Sequence, residues 1–297
     1  MNGQRIDFWK NWQRFLETIN DKRIVETERS LLKFLKIDDL RGHSFLDIGS
    51  GNGLFSLAAR NLGAHVHSFD DDPESVACTK ALRDRYRPNC PNWSIQEGSV
   101  LDKVYVDTLG IFDIVYSWGV LHHTGDMWRA IQNAMSLVGA HGLLYMALYN
   151  DQGKRSNLWR MVKRVHCSGT IGKALTSSVF IPYFFGRELL RSILQRKNLF
   201  AIYERLRGMS ITHDWIDYPF EVAKVDQICE FVANRGFRLV NIKTTSDLGC
   251  NQFVFRRGPF RPNPTALSTA RQRSPMENRV EPRSLTSEPT GSPEYVI

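Results

Sequence analysis

The segment Leu46-Asp47-Ile48-Gly49-Ser50-Gly51-Asn52-Gly53 decides the fold. It begins within the short apolar run SFLDI and is followed by LFSLAARNLG, whose apolar residues recur at helical spacing. Glycines between a strand and a helix permit a tight turn and let a ligand approach the backbone closely. The segment therefore predicts a strand, a ligand-binding turn and a helix in succession.

The same alternation of strand and helix continues along the chain, both before and after an insertion at residues 151–221. The further predicted strands are HVHSFD, WSIQEG, FDIVYSWG, GLLYMALYN, FRLVNIKTT and NQFVFRR. The helices between them are PESVACTKALRDRY, DMWRAIQNAMSLV and EVAKVDQICEFVANRGF. Such alternation predicts an α/β fold with a doubly wound, mostly parallel sheet of seven strands.

The chain divides into five predicted segments. Residues 1–43 form an N-terminal helical segment or lid, and residues 44–150 form the first part of the ligand-binding core. Residues 151–221 form an insertion that is too long for a plain connection, which favours a helical cap. Residues 222–257 complete the core. Residues 258–297 hold 7 of the 12 prolines and few large apolar residues, and are predicted to be disordered.

Composition narrows the class of protein. Apolar residues make up 42% and charged residues 24%, which is ordinary for a globular domain and excludes collagen, coiled coil and disorder of the whole chain. The five cysteines show neither a disulfide framework nor zinc spacing, and the N-terminus lacks an apolar signal region. These features predict a reducing, cytoplasmic location.

The insertion is basic as well as aromatic. Between Asp151 and Val222 there are 12 Lys/Arg and 6 Asp/Glu, so most of the net charge of +8 lies in one quarter of the chain. A basic excess favours an anionic small molecule, nucleic acid or an acidic membrane surface. The stretch VFIPYFFGRELLRSIL suits either the inner face of a lid, which we favour, or peripheral contact with a membrane. Basic residues of the insertion could meet an anionic acceptor such as a phosphorylated sugar or RNA, but they contain no recognisable RNA-binding motif: Lys154, Arg155, Arg160, Lys163 and Arg164.

Three features in and near the glycine loop narrow the chemical class of the ligand that it can bind. Leu54 stands where the dinucleotide fingerprint G-x-G-x-x-G/A needs a small residue. Asp47 precedes the glycines, where it would repel a pyrophosphate and attract a cationic amino-acid group. Asp70 ends the next strand, 17 residues after Gly53, where an acid accepts hydrogen bonds from ribose hydroxyls. A ligand with a ribose, no phosphate and a cationic amino-acid arm is S-adenosylmethionine.

Four motifs together resemble class I S-adenosylmethionine-dependent methyltransferases: LDIGSGNG, the strand end at Asp70, EGSVLD and FDIVYSWGVLHH. The resemblance spans about residues 44–149 and resumes over residues 222–257. It is closest to broad small-molecule methyltransferases, including the quinone-biosynthesis type. It implies a Rossmann-like methyltransferase fold and S-adenosylmethionine as the cofactor. The motifs are specific for the class and much less so for the acceptor.

The resemblance also implies the cofactor contacts. The acid before the glycines and the loop itself would surround the methionine arm, and the acids that end the second strand would hold the ribose and the adenine rim. Residues after the third strand would flank the adenine, and those ending the fourth would lie where donor and acceptor meet. Many members of the class have an acid at the position of Ser99, so a hydroxyl or backbone group would serve here. The predicted set is Asp47, Gly49, Ser50, Gly51, Asn52, Gly53, Asp70, Asp71, Ser99, Val100, Ser117 and Trp118.

Three histidines are candidate catalytic residues. Methyl transfer from a sulfonium is an in-line displacement, so the protein must align the nucleophile and can also remove its proton. His122 and His123 follow the fourth strand, at the edge where open sheets bind ligands, and either could be the base or merely shape the pocket. His213, beside Asp214 near the end of the insertion, is a third candidate, with a structural loop as the alternative.

Three functions remain open at this stage. The first is methyl transfer to an oxygen or nitrogen of a small metabolite, such as an anionic saccharide or a quinone-like ring. The second is methylation of tRNA or protein, because GVLHH is also similar to a tRNA wobble-uridine modifying family. The third is a catalytically inactive binding protein that retains the fold. No cluster of Asp, Glu and His has convincing ligand spacing, so no metal site is predicted.

Overall fold

The computed structural model describes residues 19–194, 219–246 and 249–258. Within these ranges the chain forms seven strands, eight helices and a 3₁₀ turn. The strands are β1 (Ser44–Ile48), β2 (His65–Asp70), β3 (Trp93–Glu97), β4 (Phe112–Trp118), β5 (Val138–Tyr149), β6 (Phe237–Lys243) and β7 (Cys250–Arg257). The helices are α1 (Asp21–Leu35), α2 (Leu54–Asn61), α3 (Pro73–Tyr86), α4 (Lys103–Thr108), α5 (Met127–Ser136), α6 (Lys154–His166), α7 (Thr170–Leu194) and α8 (Val225–Ala233), and the 3₁₀ turn is Leu121–His123.

The strands form one sheet in the order β3-β2-β1-β4-β5-β7-β6. The first five strands pair in parallel, while β7 runs antiparallel to both β5 and β6. One apolar cluster joins the sheet to α5 and α8, and a second joins it to α1, α2 and α3. The predicted doubly wound, mostly parallel seven-stranded sheet is confirmed. Its parallel strands all end at one edge, after residues 48, 70, 97, 118 and 149, which is where such sheets bind ligands.

Local sequence explains where the helices start. Asp72 caps α3 by accepting hydrogen bonds from the N–H groups of Glu74 and Ser75, and Pro73 occupies the first turn. Asp102 caps α4 in the same way. Helix α4 was not among the predicted helices, because six residues are too few to show a period. Strand β5 begins at Val138 rather than near Gly142, since a register shift in its pairing with β4 lengthens it.

The outer segments of the chain are described only in part. Helix α1 belongs to the predicted segment 1–43, and it packs into the core through Ile24, Leu31 and Leu35. Helices α6 and α7 belong to the predicted insertion 151–221. Residues 195–218 and all but the first residue of the predicted tail 258–297 lie outside the described residues.

Among the described residues, no helix is both long and apolar enough to cross a membrane. No group of three or more His, Cys, Asp and Glu side chains in the same ranges comes together in a way that could hold a metal ion.

Helix α1 provides a test of whether the N-terminal segment belongs to the core. Leu35 is fully buried, so Leu35→Ala is expected to lower the free energy of unfolding by about 2–5 kcal/mol. Val25 lies on the exposed side of the same helix, and Val25→Ala should change it by no more than about 0.5 kcal/mol. Urea denaturation followed by circular dichroism measures both. Equal effects of the two substitutions would show that α1 is not part of the cooperative core.

Candidate functional site

The turn between β1 and α2 requires glycine. Gly49, Gly51 and Gly53 have φ angles of 74°, 54° and 78°, which side chains rarely tolerate. A Cβ on Gly49 would also lie only 2.4 Å from a methyl carbon of Val120. The loop can therefore press against the segment after β4 only because it lacks side chains at these positions.

Backbone hydrogen bonds join this loop to the end of β2. The N–H groups of Gly49 and Ser50 donate to the carbonyl oxygen of Phe69, over 2.8 and 3.1 Å. The N–H of Gly51 donates to Oδ2 of Asp70 over 2.9 Å. The loop thus draws the ends of β1 and β2 together and sets the position of the Asp70 carboxylate.

The polar side chains of the loop stabilise the loop itself. The hydroxyls of Ser50 and Thr79 are hydrogen-bonded over 3.1 Å, and Thr79 also donates to the carbonyl of Gly51. Oδ1 of Asn52 accepts from the N–H of Leu54 at the start of α2. The structure therefore uses the side chains of Ser50 and Asn52 to tie the turn to α3 and α2.

Asp70 is held in place through both carboxylate oxygens. Oδ2 accepts from Gly51, and Oδ1 accepts from the N–H of Asp72 over 3.0 Å. Each oxygen has a second lone pair with which it can accept a hydroxyl. Burial nevertheless raises the pKa of the Asp70 carboxyl to about 7, because desolvation outweighs the two N–H donors.

Asp47 lies beneath the glycine loop, almost fully buried. Its Oδ2 accepts from the hydroxyl of Ser56 over 2.5 Å. The same hydroxyl is 2.7 Å from that of Ser68, which accepts from the indole N–H of Trp93. The pKa of Asp47 is raised to about 7, chiefly by burial and in part by the Asp70 carboxylate, against the lowering effect of the Ser56 hydrogen bond. A cation near the loop would stabilise the charged form of this acid.

A cleft of about 380 Å³ opens at the edge of the sheet beside the glycine loop. Five of the residues predicted to bind the cofactor line it: Gly49, Asp70, Asp71, Ser99 and Val100. The other lining residues are Ile48, Phe69, Gly98, Leu101, Val120, His123, Thr124 and Pro219. The structure thus brings the loop, the end of β2, the segment after β3 and the segment after β4 to one cavity.

Two of the predicted cofactor residues make contacts within the fold. The hydroxyl of Ser117 is buried and donates to the carbonyl of Ile48 over 3.0 Å, which links β4 to β1. The side chain of Trp118 packs against the apolar cluster on the side of α1 to α3. Neither residue is among those that line the cleft.

The two histidines after β4 have different environments. His123 lines the cleft, and its Nδ1 lies 2.8 Å from the carbonyl oxygen of Pro219. A carbonyl only accepts, so this bond assigns the proton of the neutral ring to Nδ1 and leaves Nε2 basic. His122 is fully buried against Tyr149, with ring centroids 4.1 Å apart. Burial lowers the pKa of His122 well below its ordinary value, and the charge of Lys163 lowers it further.

Neither ring nitrogen of His122 has a partner within hydrogen-bonding geometry among the described residues. The carbonyl of Ala147 lies close enough to favour its protonated form slightly, but desolvation dominates. His122 therefore stays neutral at physiological pH. Of the three histidines predicted as catalytic, the structure brings His123 to the cleft, buries His122 behind it, and does not describe His213.

The segment that returns from the insertion supports the histidine turn. The N–H of Glu221 donates to the carbonyl of His122 over 3.0 Å. The carboxylate of Glu221 accepts from the N–H of Met127 at the start of α5 over 3.0 Å. Together with the bond from His123 to Pro219, these contacts couple the insertion to the site. No local pattern in the sequence could have predicted them, because the partners are more than 90 residues apart.

A buried lysine and two aromatic rings lie beside the histidines. Nζ of Lys163, on α6, is 4.3 Å from the ring centroid of Phe220 and 5.3 Å from that of Tyr149. The two rings are 5.1 Å apart, and the side chain of Lys163 is only 4% exposed. Sequence reasoning treated Lys163 as one basic residue among several in the insertion. The signal that distinguishes it is burial, which the sequence does not contain.

Comparison with known proteins agrees with this geometry. Residues 46–144 match the family model described as a methyltransferase domain. Over these residues, which make up a third of the chain, the protein is therefore similar to methyltransferase domains. The match covers the glycine loop, Asp70, Ser99 and both histidines after β4.

The methyltransferase domain has similar curated relatives. A "Ubiquinone biosynthesis O-methyltransferase" from Coxiella burnetii (strain Dugway 5J108-111) is 28% identical over 139 residues, which cover 47% of this chain and 54% of the relative. A protein of the same name from Methylobacterium sp. (strain 4-46) is 28% identical over 119 residues, 38% of this chain and 43% of the relative. The chain spans about half the length of the curated relatives it matches.

A solved structure supports the fold of the methyltransferase domain. The crystal structure of magnesium protoporphyrin IX methyltransferase (ChlM) from Synechocystis PCC 6803 with bound SAH superimposes with a TM-score of 0.52. It is 16% identical in sequence, and the alignment covers 84% of this chain and 94% of the other.

Substitution of Gly49 tests the tight approach of the loop to Val120. Gly49→Ala combines a left-handed backbone, which costs about 1–2 kcal/mol, with overpacking of about 1–3 kcal/mol. We expect a loss of about 2–5 kcal/mol in the free energy of unfolding. Gly110 is the matched control, since its φ is 79° but a Cβ there meets nothing within 4 Å. Gly110→Ala should cost only about 1–2 kcal/mol in the same urea titration. Equal losses of unfolding free energy in the two variants would mean that the Val120 side chain can move aside at no cost in free energy.

The buried acids predict a pH dependence of stability. The pKa of Asp47 rises from 3.8 when exposed to about 7 when buried, so its contribution to stability is complete below pH 4 and is lost as the pH rises through 7. Asp47→Asn should therefore gain stability relative to the wild type between pH 5 and pH 7.5, measured by urea unfolding at several values. The exposed Asp38 provides the control for the loss of one carboxylate, and Asp47→Asn should gain stability relative to Asp38→Asn over the same pH range. A parallel curve for Asp47→Asn would contradict the raised pKa.

Proposed function

We propose that this chain is an S-adenosylmethionine-dependent methyltransferase that methylates an oxygen atom of a small-molecule acceptor. The observation that carries the proposal is a single cleft lined by Asp70 at the end of β2 and by His123 after β4. The similar curated proteins are named O-methyltransferases, which favours oxygen over nitrogen as the acceptor atom.

The residues of the cleft fit this cofactor. Its volume of about 380 Å³ is in the range of small-molecule sites. The two oxygens of Asp70 are oriented by backbone N–H groups and can accept the two ribose hydroxyls. Gly49 lines the cleft without a side chain, so the methionine arm can approach the loop backbone there. Asp47 lies below the same loop, where its carboxylate favours the cationic end of that arm.

The chemistry divides between the cofactor and the chain. S-adenosylmethionine supplies, when bound, an electrophilic methyl group on a positively charged sulfur. His123 would take the hydroxyl proton of the acceptor at Nε2, which makes that oxygen nucleophilic toward the methyl group that the cofactor would supply, leaving the cofactor as a neutral thioether. The Pro219 carbonyl holds His123 in the tautomer that this step needs. His123 then releases the proton to solvent.

The residues beside His123 favour an aromatic, anionic acceptor. Tyr149 and Phe220 provide two aromatic rings at the end of β5 and on the returning segment, and Lys163 provides a positive charge over both. Tyr149 is partly exposed and can pack against an aromatic ring, while the buried charge of Lys163 favours an anion through its field and not through contact. A hydroxylated aromatic acid meets both conditions.

The first experiment is calorimetric titration with S-adenosylmethionine and S-adenosylhomocysteine. We expect one site in the wild type and at least about tenfold weaker binding in Asp70→Ala, because two hydrogen bonds to the ribose are lost. The second experiment follows transfer of a labelled methyl group to 3,4-dihydroxybenzoate, its neutral methyl ester and bulk RNA. Transfer that prefers the acid supports the proposal. A folded wild type that binds neither nucleoside would contradict it.

His123→Asn tests the base. The amide N–H₂ of asparagine can still donate to the Pro219 carbonyl, but the variant lacks a basic nitrogen. We expect kcat to fall by about 10²- to 10⁴-fold while the donor Kd changes little. His141 is the matched control, because it is exposed and has a φ of 65°, a conformation that asparagine adopts readily. An unchanged kcat in His123→Asn would exclude this residue as the base.

A further inference from the structure

Exposed apolar side chains are concentrated on helices α6 and α7. Among the described residues, twelve large hydrophobic side chains are exposed, and only four of them, Val25, Val104, Ile111 and Leu239, lie elsewhere. We name the other eight the hairpin face: Leu158, Met161, Val165, Ile171, Leu175, Val179, Tyr183 and Leu190. A contiguous apolar patch of this kind marks an interaction surface.

The helical periodicity places these side chains on one surface. Ile171, Leu175, Val179 and Tyr183 recur every four residues and form one ridge along α7. Leu158, Met161 and Val165 form the corresponding row on α6. A shallow groove of about 190 Å³ between the two helices is lined by apolar side chains from both, which joins the two rows.

The same two helices carry almost all of the excess charge. From Lys154 to Leu194 there are eight Lys/Arg and one Asp/Glu, a net charge of +7 against +8 for the whole chain. Lys154, Arg155, Arg164 and Lys173 are exposed around the hairpin face, whereas Lys163 is buried. The surface therefore combines an apolar centre with a rim of a single positive sign.

We infer that the hairpin face docks on an anionic lipid bilayer, with α6 and α7 lying in the plane of the membrane surface. Apolar side chains on such a face enter the boundary between headgroups and acyl chains, and the basic rim meets lipid phosphates. Aliphatic side chains gain nothing from a nucleic-acid backbone, which makes RNA a poorer fit. Charges of one sign around the face fit an anionic surface better than a second copy of the same basic face.

Docking itself does not depend on the proposed methyl transfer. If both hold, docking would bring the cleft near acceptors dissolved in the bilayer, and this consequence rests on the proposed function. Titration of each variant with S-adenosylmethionine separates the two inferences, because none of the substituted residues lines the cleft.

The test is cosedimentation of the full chain with phosphatidylcholine vesicles, with and without about one-third phosphatidylglycerol. We expect binding only to the anionic vesicles. Leu175→Glu/Val179→Glu should weaken it by about 100-fold or more, since two apolar side chains lose their burial. Val104→Glu/Ile111→Glu is the matched control, because it makes the same charge change at exposed positions outside the hairpin face. Its two added charges lie far from the membrane surface and are screened by salt, so this variant should bind within about twofold of wild type.

A second pair of variants tests the charge. Each basic residue near an anionic surface strengthens binding by about fivefold, so Lys154→Glu/Arg164→Glu should weaken it by at least about 25-fold. Lys80→Glu/Arg238→Glu makes the same change in net charge at exposed positions outside the hairpin. Circular dichroism of every variant checks that it remains folded.

Four outcomes would overturn the inference. The first three are failure of the wild type to bind anionic vesicles, equal binding of the wild type to neutral and anionic vesicles, and equal weakening of vesicle binding in a variant and in its control. The fourth is a wild-type dimer in light scattering that Leu175→Glu/Val179→Glu dissociates, which would assign the hairpin face to a second copy. Salt-sensitive binding to bulk RNA, in the absence of vesicle binding, would instead assign the basic rim to nucleic acid.

Discussion

The site depends on hydrogen bonds between the glycine loop and the end of β2. Gly49 and Ser50 donate to the Phe69 carbonyl, and Gly51 donates to the Asp70 carboxylate. These bonds need a backbone at positive φ at Gly49, Gly51 and Gly53, and position 49 needs a residue without a Cβ because Val120 occupies the space beside it. The start of α2, the floor of the cleft and the orientation of Asp70 all follow from this one turn.

The same arrangement buries two acids at the site, where desolvation disfavours their charged forms. Asp47 and Asp70 are both buried, and burial raises the pKa of each to about 7. Each carboxylate ionises in this low-dielectric setting only at a cost, and the charge of Asp70 adds to the cost at Asp47. A ligand with a cationic arm and a ribose relieves that cost by supplying a charge for one acid and hydroxyl donors for the other. The fold therefore favours a cofactor that brings a positive charge for one of these two acids and hydroxyl donors for the other.

The insertion connects the two surfaces that we propose to be functional. Its returning segment holds the histidine turn through Pro219 and Glu221. Helix α6 contributes Lys163 to the aromatic rings beside His123, and its exposed side belongs to the hairpin face. One helix thus contacts the aromatic rings beside His123 on one side and carries part of the proposed membrane surface on the other. A substitution that tilts α6 would act on both.

The amino-acid sequence predicts the class of fold, which the structure confirms, and it predicts a set of residues around the donor. The spacing of apolar residues predicts the strands, and the glycines with Asp70 predict the ligand edge, because these signals are local. Only the tertiary structure decided that His123 faces the cleft while His122 is buried, that Lys163 is covered, and that Ser117 bonds to β1. Each of these depends on contacts between residues far apart in the chain, and hydrophobic periodicity does not encode such contacts.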